Sequence, residues 1–119
     1  MSTAATTTPL SDLEYRRITS AILSNVEAAV DAWLEADLID IDTRRSGGLL
    51  ELVFPNSSHI VLNTQPPLQE LWMAARSGGF HYRHAEGRWL DREGREFFEA
   101  LSACASEQAG QGLKFAPAH

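Results

Sequence analysis

The sequence predicts an α+β domain. It would be a two-layer sandwich, with an antiparallel meander of five to six strands carrying the N- and C-terminal helices on one face. Three observations lead there. Tyr15, Ile18, Ile22, Val26, Ala29 and Trp33 recur at the i, i+3, i+4 spacing of an amphipathic helix. The middle of the chain is a series of short apolar runs divided by Gly-, Pro- and Ser-rich turns. Helical spacing then returns, with Phe97, Leu101, Cys104 and Ala105 at i, i+4, i+7 and i+8.

The first helix opens on Ser11-Asp12-Leu13-Glu14, the S-x-x-E pattern of a capping box, with Leu10 and Tyr15 placed as a hydrophobic staple. It should run from about Asp12 to about Glu35. Ile39 and Ile41 alternate with Asp40 and Asp42 and read as the first strand. Ser46-Gly47-Gly48 turns the chain into a second strand, Leu49 to Phe54. Pro55-Asn56-Ser57-Ser58 leads to a third, His59 to Asn63, and Gln65-Pro66-Pro67 interrupts again. Leu68 to Ala74 reads as the fourth strand, a run that would also tolerate helix. Ser77-Gly78-Gly79 turns into a fifth, Phe80 to His84, and Glu86-Gly87 into a short strand at Trp89. Turns this short imply antiparallel neighbours. Phe98 widens the apolar face of the last helix, and Gly110 is placed to stop it.

A chain of 119 residues suits one domain with one modest core. Residues 1–10, small and Thr-rich, read as a disordered tail, and residues 11–119 as the single domain. The N-terminus has neither the basic nor the apolar region of a secretory signal. No run is long enough to span a membrane, and the one cysteine, Cys104, cannot form an internal disulfide. These features point to a cytoplasmic protein.

Charge narrows the function. The net charge is -6. Residues 1–42 hold eight acids against Arg16 and Arg17, while residues 43–119 hold eight acids and eight bases. The excess therefore lies wholly in the first third. Such a field repels nucleic acid and anionic membrane and attracts cations or basic protein surfaces. Six acids crowd residues 27–42: Glu27, Asp31, Glu35, Asp37, Asp40 and Asp42. At helical spacing Glu27, Asp31 and Glu35 form one stripe, opposite the core line and so facing water. They sit near the negative end of the helix dipole, where acids are unfavourable. Asp40 and Asp42 would share the polar face of the first strand and extend the stripe into one ridge. An all-carboxylate set suits calcium, magnesium, manganese or iron better than zinc or copper. No EF-hand loop is present. Any cation site would be open, hydrated and weak.

The fourth strand offers a second surface. Leu71 and Met73 share one face, Glu70 and Trp72 the other. With helices on the first face, Trp72 lies on the second, either as an interaction anchor or partly covered by neighbouring side chains. His81 and His84, three apart on a strand, point to opposite faces and would not converge on one metal. Cys104, Trp33 and Trp89 read as core residues. No Ser-His-Asp set, phosphate loop or nucleotide fingerprint occurs.

Taken together, these features resemble the bacterial frataxin family from Asp12 to Gly110. Asn63-Thr64-Gln65-Pro66-Pro67-Leu68-Gln69-Glu70-Leu71-Trp72 resembles that family's N-x-Q-x-P-L-x-x-[VIL]-W signature. Gly78-Gly79-Phe80-His81-Tyr82 is similar to its G-G-[YF]-H-[YF] segment. Trp89, Asp91-Arg92, Gly94, Glu96-Phe97-Phe98 and Gln108-Ala109-Gly110 follow its last strand and helix.

The resemblance implies a frataxin-like fold and weak ferrous or ferric iron binding on an acidic ridge. It also implies partners in iron–sulfur cluster assembly, the cysteine desulfurase and the scaffold protein. Glu27, Asp31, Asp40 and Asp42 match ridge positions, and Glu35 and Asp37 lie in a longer connection that matches loosely. Ala28 and Ala32 replace acids of the ridge, Arg44 stands where an acid is common, and Thr64 replaces a base. The ridge is thus thinner than usual. Asn63, Gln65 and Trp72 are implied as partner-binding residues.

The expectation is a monomeric, non-enzymatic regulator of cluster assembly. The alternative is a ferroxidase or iron-storage protein that forms oligomers on iron loading. A plainer reading is an acidic adaptor that ignores iron.

Overall fold

The computed structural model describes residues 9–117. The order is α1 (Asp12–Glu35), β1 (Asp42–Ser46), β2 (Leu49–Val53), β3 (His59–Gln65), a short 3-10 turn (Pro66–Leu68), β4 (Glu70–Ala75), β5 (Gly78–Ala85), β6 (Arg88–Leu90) and α2 (Phe97–Ala109). The six strands form one antiparallel sheet in the order β1-β2-β3-β4-β5-β6, so the meander expected from the short turns is present. Both helices cover one face. Leu23, Val26 and Val30 of α1 and Leu101 and Ala105 of α2 are buried in one core with Leu50, Leu52, Ile60, Leu62, Leu71, Met73 and Tyr82 of the sheet.

The capping box forms as the sequence indicates: Ser11 Oγ accepts from Glu14 N–H at 3.1 Å, and Glu14 Oε1 from Ser11 N–H at 3.1 Å. Most of the expected tail, residues 1–8, lies outside the described residues. Leu10, at its end, is held: its N–H donates to Gln69 Oε1 and its carbonyl accepts from Gln69 Nε2. The Tyr15 hydroxyl, buried beneath α1, donates to the Glu70 carbonyl and accepts from Gln65 N–H. It thereby ties the helix to the break between β3 and β4.

Several strand boundaries differ from expectation. β3 runs on to Gln65, paired with Glu70. Leu68 belongs to the 3-10 turn rather than to the fourth strand, which starts at Glu70 because the two prolines cannot donate to a ladder. The first strand starts at Asp42 rather than Ile39. Pro55 ends β2, whose last paired residue is Val53 opposite Asp42, so residues 39–41 have no strand to pair with. The Ile39–Ile41 alternation instead reflects packing, with Ile41 buried and Ile39 partly buried against the core. Gly78 and Gly79 belong to β5, opposite Ala75 and Ala74. The turn is Arg76-Ser77, whose Arg76 N–H donates to the buried Gln108 side chain at 2.9 Å.

Gly110 stops α2 in a left-handed conformation, its N–H donating to Ser106 O. The chain then returns along α2, a segment without sequence precedent in the expectation. Ser106 Oγ exchanges hydrogen bonds with Leu113 N–H and C=O, and Ser102 Oγ with those of Phe115. Leu113 and Phe115 are buried, Phe115 packs on Trp33 of α1, and Asn25 donates to Ala116 O. This strap closes the seam between the helices.

Candidate functional site

The acidic residues are set by how α1 ends. Ala36 caps the helix, Asp37 follows at φ +57°, and Leu38 N–H reaches back to Trp33 O at 2.8 Å while Asp37 N–H reaches Leu34 O at 3.0 Å. These bonds make a Schellman stop, in which the left-handed position is normally glycine. Here a carboxylate occupies it, at the negative end of the helix dipole. Asp31 and Glu35 lie exposed just before it, and Asp40 exposed just after.

The six acids do not form one uniform ridge. Glu27, expected to face water, is half-buried in an ion pair: Arg45 Nη1 donates to Glu27 Oε1 at 2.6 Å. Arg45 lies opposite Leu50 and so points to the helix face of the sheet, where it also bonds Ser20 and Ser24 of α1. A base from the next strand thus neutralises the first acid. Asp40 is in the connection rather than on a strand. Asp42 lies on β1 with Arg44, on the sheet face away from the helices, where Arg44 reaches Glu51 of β2. What remains is an exposed run of Asp31, Glu35, Asp37, Asp40 and Asp42, none of which makes an ion pair among the described residues. Among the described residues no three His, Cys, Asp or Glu side chains converge on a point where a metal ion could sit. A hard cation here would meet scattered carboxylates and keep most of its water.

The open face of the sheet carries the second surface. Strand register aligns Leu49, Asn63, Trp72 and His81 as direct neighbours in one row across β2 to β5, with Gln65, Glu70 and Arg83 in the adjacent row. Trp72 is only partly covered. Its ring stacks on His81 with centroids 4.1 Å apart and planes 6° from parallel. Its Nε1–H donates to Glu70 Oε1 at 2.7 Å, while Arg83 Nε–H donates to Glu70 Oε2 at 2.7 Å. Burial raises the Glu70 pKa, but the Trp72 and Arg83 hydrogen bonds and the Arg83 charge outweigh it, holding the carboxyl below its usual range. Glu70 shares the open face with Trp72 as strand parity indicates, yet its side chain is only 7% exposed. It fixes the plane of the indole. That role was readable only after the β4–β5 register had placed Arg83 opposite it.

The remaining residues fall as parity requires. His81 points out, while His84 points in, edge-on to buried Trp89. Trp33 and Cys104 are partly buried against the core, Cys104 with its Sγ 3.6 Å from Ser77 Oγ.

The frataxin-like domain family matches residues 8–111 of the chain. The protein is a member of the frataxin family. Among its relatives, the iron–sulfur cluster assembly protein CyaY of Polaromonas sp. is 48% identical over 107 residues, covering 89% of this chain and 92% of that one. CyaY of Cupriavidus taiwanensis is 48% identical over 108 residues, covering 90% and 97%. The frataxin of Psychromonas ingrahamii superposes with a TM-score of 0.78 at 30% identity, covering 91% of this chain and all of the other. Trimeric frataxin from the yeast Saccharomyces cerevisiae, complexed with ferrous, superposes at 0.66 and 22% identity over 87% of this chain, a likeness of fold. The α+β sandwich implied by the sequence motifs is therefore the frataxin fold. No helix among the described residues is long and apolar enough to cross a membrane.

Proposed function

We propose that this frataxin serves iron–sulfur cluster assembly as a non-enzymatic regulator. In this reading it docks the run Asp31, Glu35, Asp37, Asp40 and Asp42 on a basic surface of the cysteine desulfurase. Ferrous or ferric iron associates weakly with the same carboxylates as cargo, and Asn63, Gln65 and Trp72 on the open sheet face meet the desulfurase or the scaffold. Kinship with CyaY proteins along almost their whole length supports the pathway.

The observation that carries the docking reading is Asp37. A carboxylate stands in the glycine position of a helix stop, beside two exposed acids that no base compensates. This placement works against helix stability on two counts, backbone conformation and dipole. A partner's cations would relieve the second.

Calorimetric titration into the organism's own desulfurase, at low and high salt, tests the proposal. Tight binding that weakens steeply with salt, and is lost in Asp31→Lys with Asp40→Lys, is expected. A complex indifferent to both salt and charge reversal would sink it. Ferroxidase action with oligomer formation predicts oxygen consumption on ferrous iron. The dispersed carboxylates favour the docking reading over that alternative.

A further inference from the structure

Where the β1–β2 turn approaches α1, the surface opens into a cleft of about 330 Å³, between Arg16 and Ser20 on one side and Arg45, Gly48 and Thr64 on the other. Its walls are rich in unspent donors. Arg16 is exposed. Its carbonyl accepts from Thr19, but its guanidinium has no hydrogen-bond or ion-pair partner among the described residues, and the Thr64 hydroxyl has no hydrogen-bond partner among them. Arg45 spends Nη1 on Ser24 and Glu27 and Nη2 on Ser20, which leaves its Nε–H free. Ser20 Oγ accepts from Arg45, so its own proton remains available. No carboxylate lines the cleft. Unspent donors lining one cleft with a guanidinium that has no counter-ion, Arg16, are complementary to an oxyanion.

We propose that this cleft binds a small, multiply charged oxyanion, a phosphate or a compact dicarboxylate, through Arg16, Arg45, Ser20 and Thr64. Glu27 leaves Arg45 partly neutralised, so Arg16 supplies the net positive charge. The excess acids of the protein act on the cleft only through a screened field at physiological salt. Because Arg45 is shared, an anion that draws it inward loosens its bond to Glu27. The anion then adds one carboxylate to the acidic run, and by reciprocity a cation bound there favours the anion. Only this coupling rests on the docking reading; the site itself does not.

The test is titration of the ¹⁵N-labelled full chain with sodium phosphate and, separately, sodium malonate, at ionic strength held constant with sodium chloride. Neither metal nor partner is present, so failure here is distinct from failure of the desulfurase titration. The expected result is saturable shifts at Ser20, Arg45, Gly47, Gly48 and Thr64, with a dissociation constant of about 1 mM. Arg16→Gln, which breaks no contact of the fold, should weaken binding about tenfold or more, and Thr64→Val should weaken it less. A response to phosphate alone identifies a phosphoryl ligand, to malonate alone a carboxylate ligand, and to both the general class. Shifts that stay linear, that chloride reproduces, or that survive unchanged in Arg16→Gln would overturn the proposal.

Discussion

Replacing Glu70 by Gln isolates the buried carboxylate beneath the Trp72 surface. The substitution keeps size and shape but exchanges one acceptor oxygen for an amide donor. Either the indole or the Arg83 guanidinium then faces a donor instead of an acceptor. A hydrogen bond to a charged group contributes roughly 1.5–3 kcal/mol. Arg83 is 58% exposed, so water takes part and the lower bound applies, about 1.5 kcal/mol. For a domain of this size that is a fall in melting temperature of about 6 °C. The pH dependence supplies the sharper test. The Glu70 pKa is lowered in the folded state, so its stabilisation is complete above the unfolded carboxyl value, near 4.3, and is lost as pH falls through the lower folded value. Gln has no such titration. Urea unfolding at neutral pH should show the variant clearly weaker, and the gap should close in acid. Equal midpoints at neutral pH would refute the reasoning, as would a gap that persists once the carboxyl is protonated.

Other substitutions probe the remaining features. Asp37→Gly should stabilise the protein by about 1 kcal/mol, since glycine adopts the left-handed stop freely and removes a charge from the negative end of the dipole; calorimetry should show the same variant binding the desulfurase more weakly. Phe115→Ala removes a ring buried against Trp33 and should cost about 3 kcal/mol, read from denaturant midpoints at constant slope. Gly48→Ala would place a methyl 1.9 Å from Thr64 Oγ1; the stiff side chain must move, and thermal melting should show a loss of about 1–3 kcal/mol.

The elements that were legible in the sequence are those specified by local chemistry. The capping box placed the start of α1, and the i, i+3, i+4 spacing its course and approximate end, because both signals lie within a few positions of each other. The Pro, Gly and Ser turns gave the meander. The rest depends on residues distant in sequence. Ile39 and Ile41 look like a strand until β2 turns away at Pro55 and leaves them unpaired. Glu27 looks solvated until Arg45, 18 residues later, folds over it. The return segment carried a signal, Leu113 and Phe115 alternating after a helix-stopping glycine, but two apolar residues are too few to set a period. Of the acidic run, the positions of Asp31 and Glu35 were readable from helical spacing. Asp37 was readable as an acid but not as the residue that stops the helix.

The strictly sequential strand order also shapes the route to the folded state. Each pair in the sheet joins chain neighbours, so the whole sheet can grow by successive short hairpin closures with little loop entropy lost at any step. The helix α1 has no such neighbour. Its Tyr15 hydroxyl reaches Gln65 and Glu70 across 50 and 55 residues, and the turn between β3 and β4 must exist before that bond can form. The expectation is a transition state polarised toward the central hairpins, with α1 docking late. Mutational φ-values should therefore be high at Leu62, Leu71 and Met73 and low at Tyr15; the opposite ranking would mean that the helix organises the sheet.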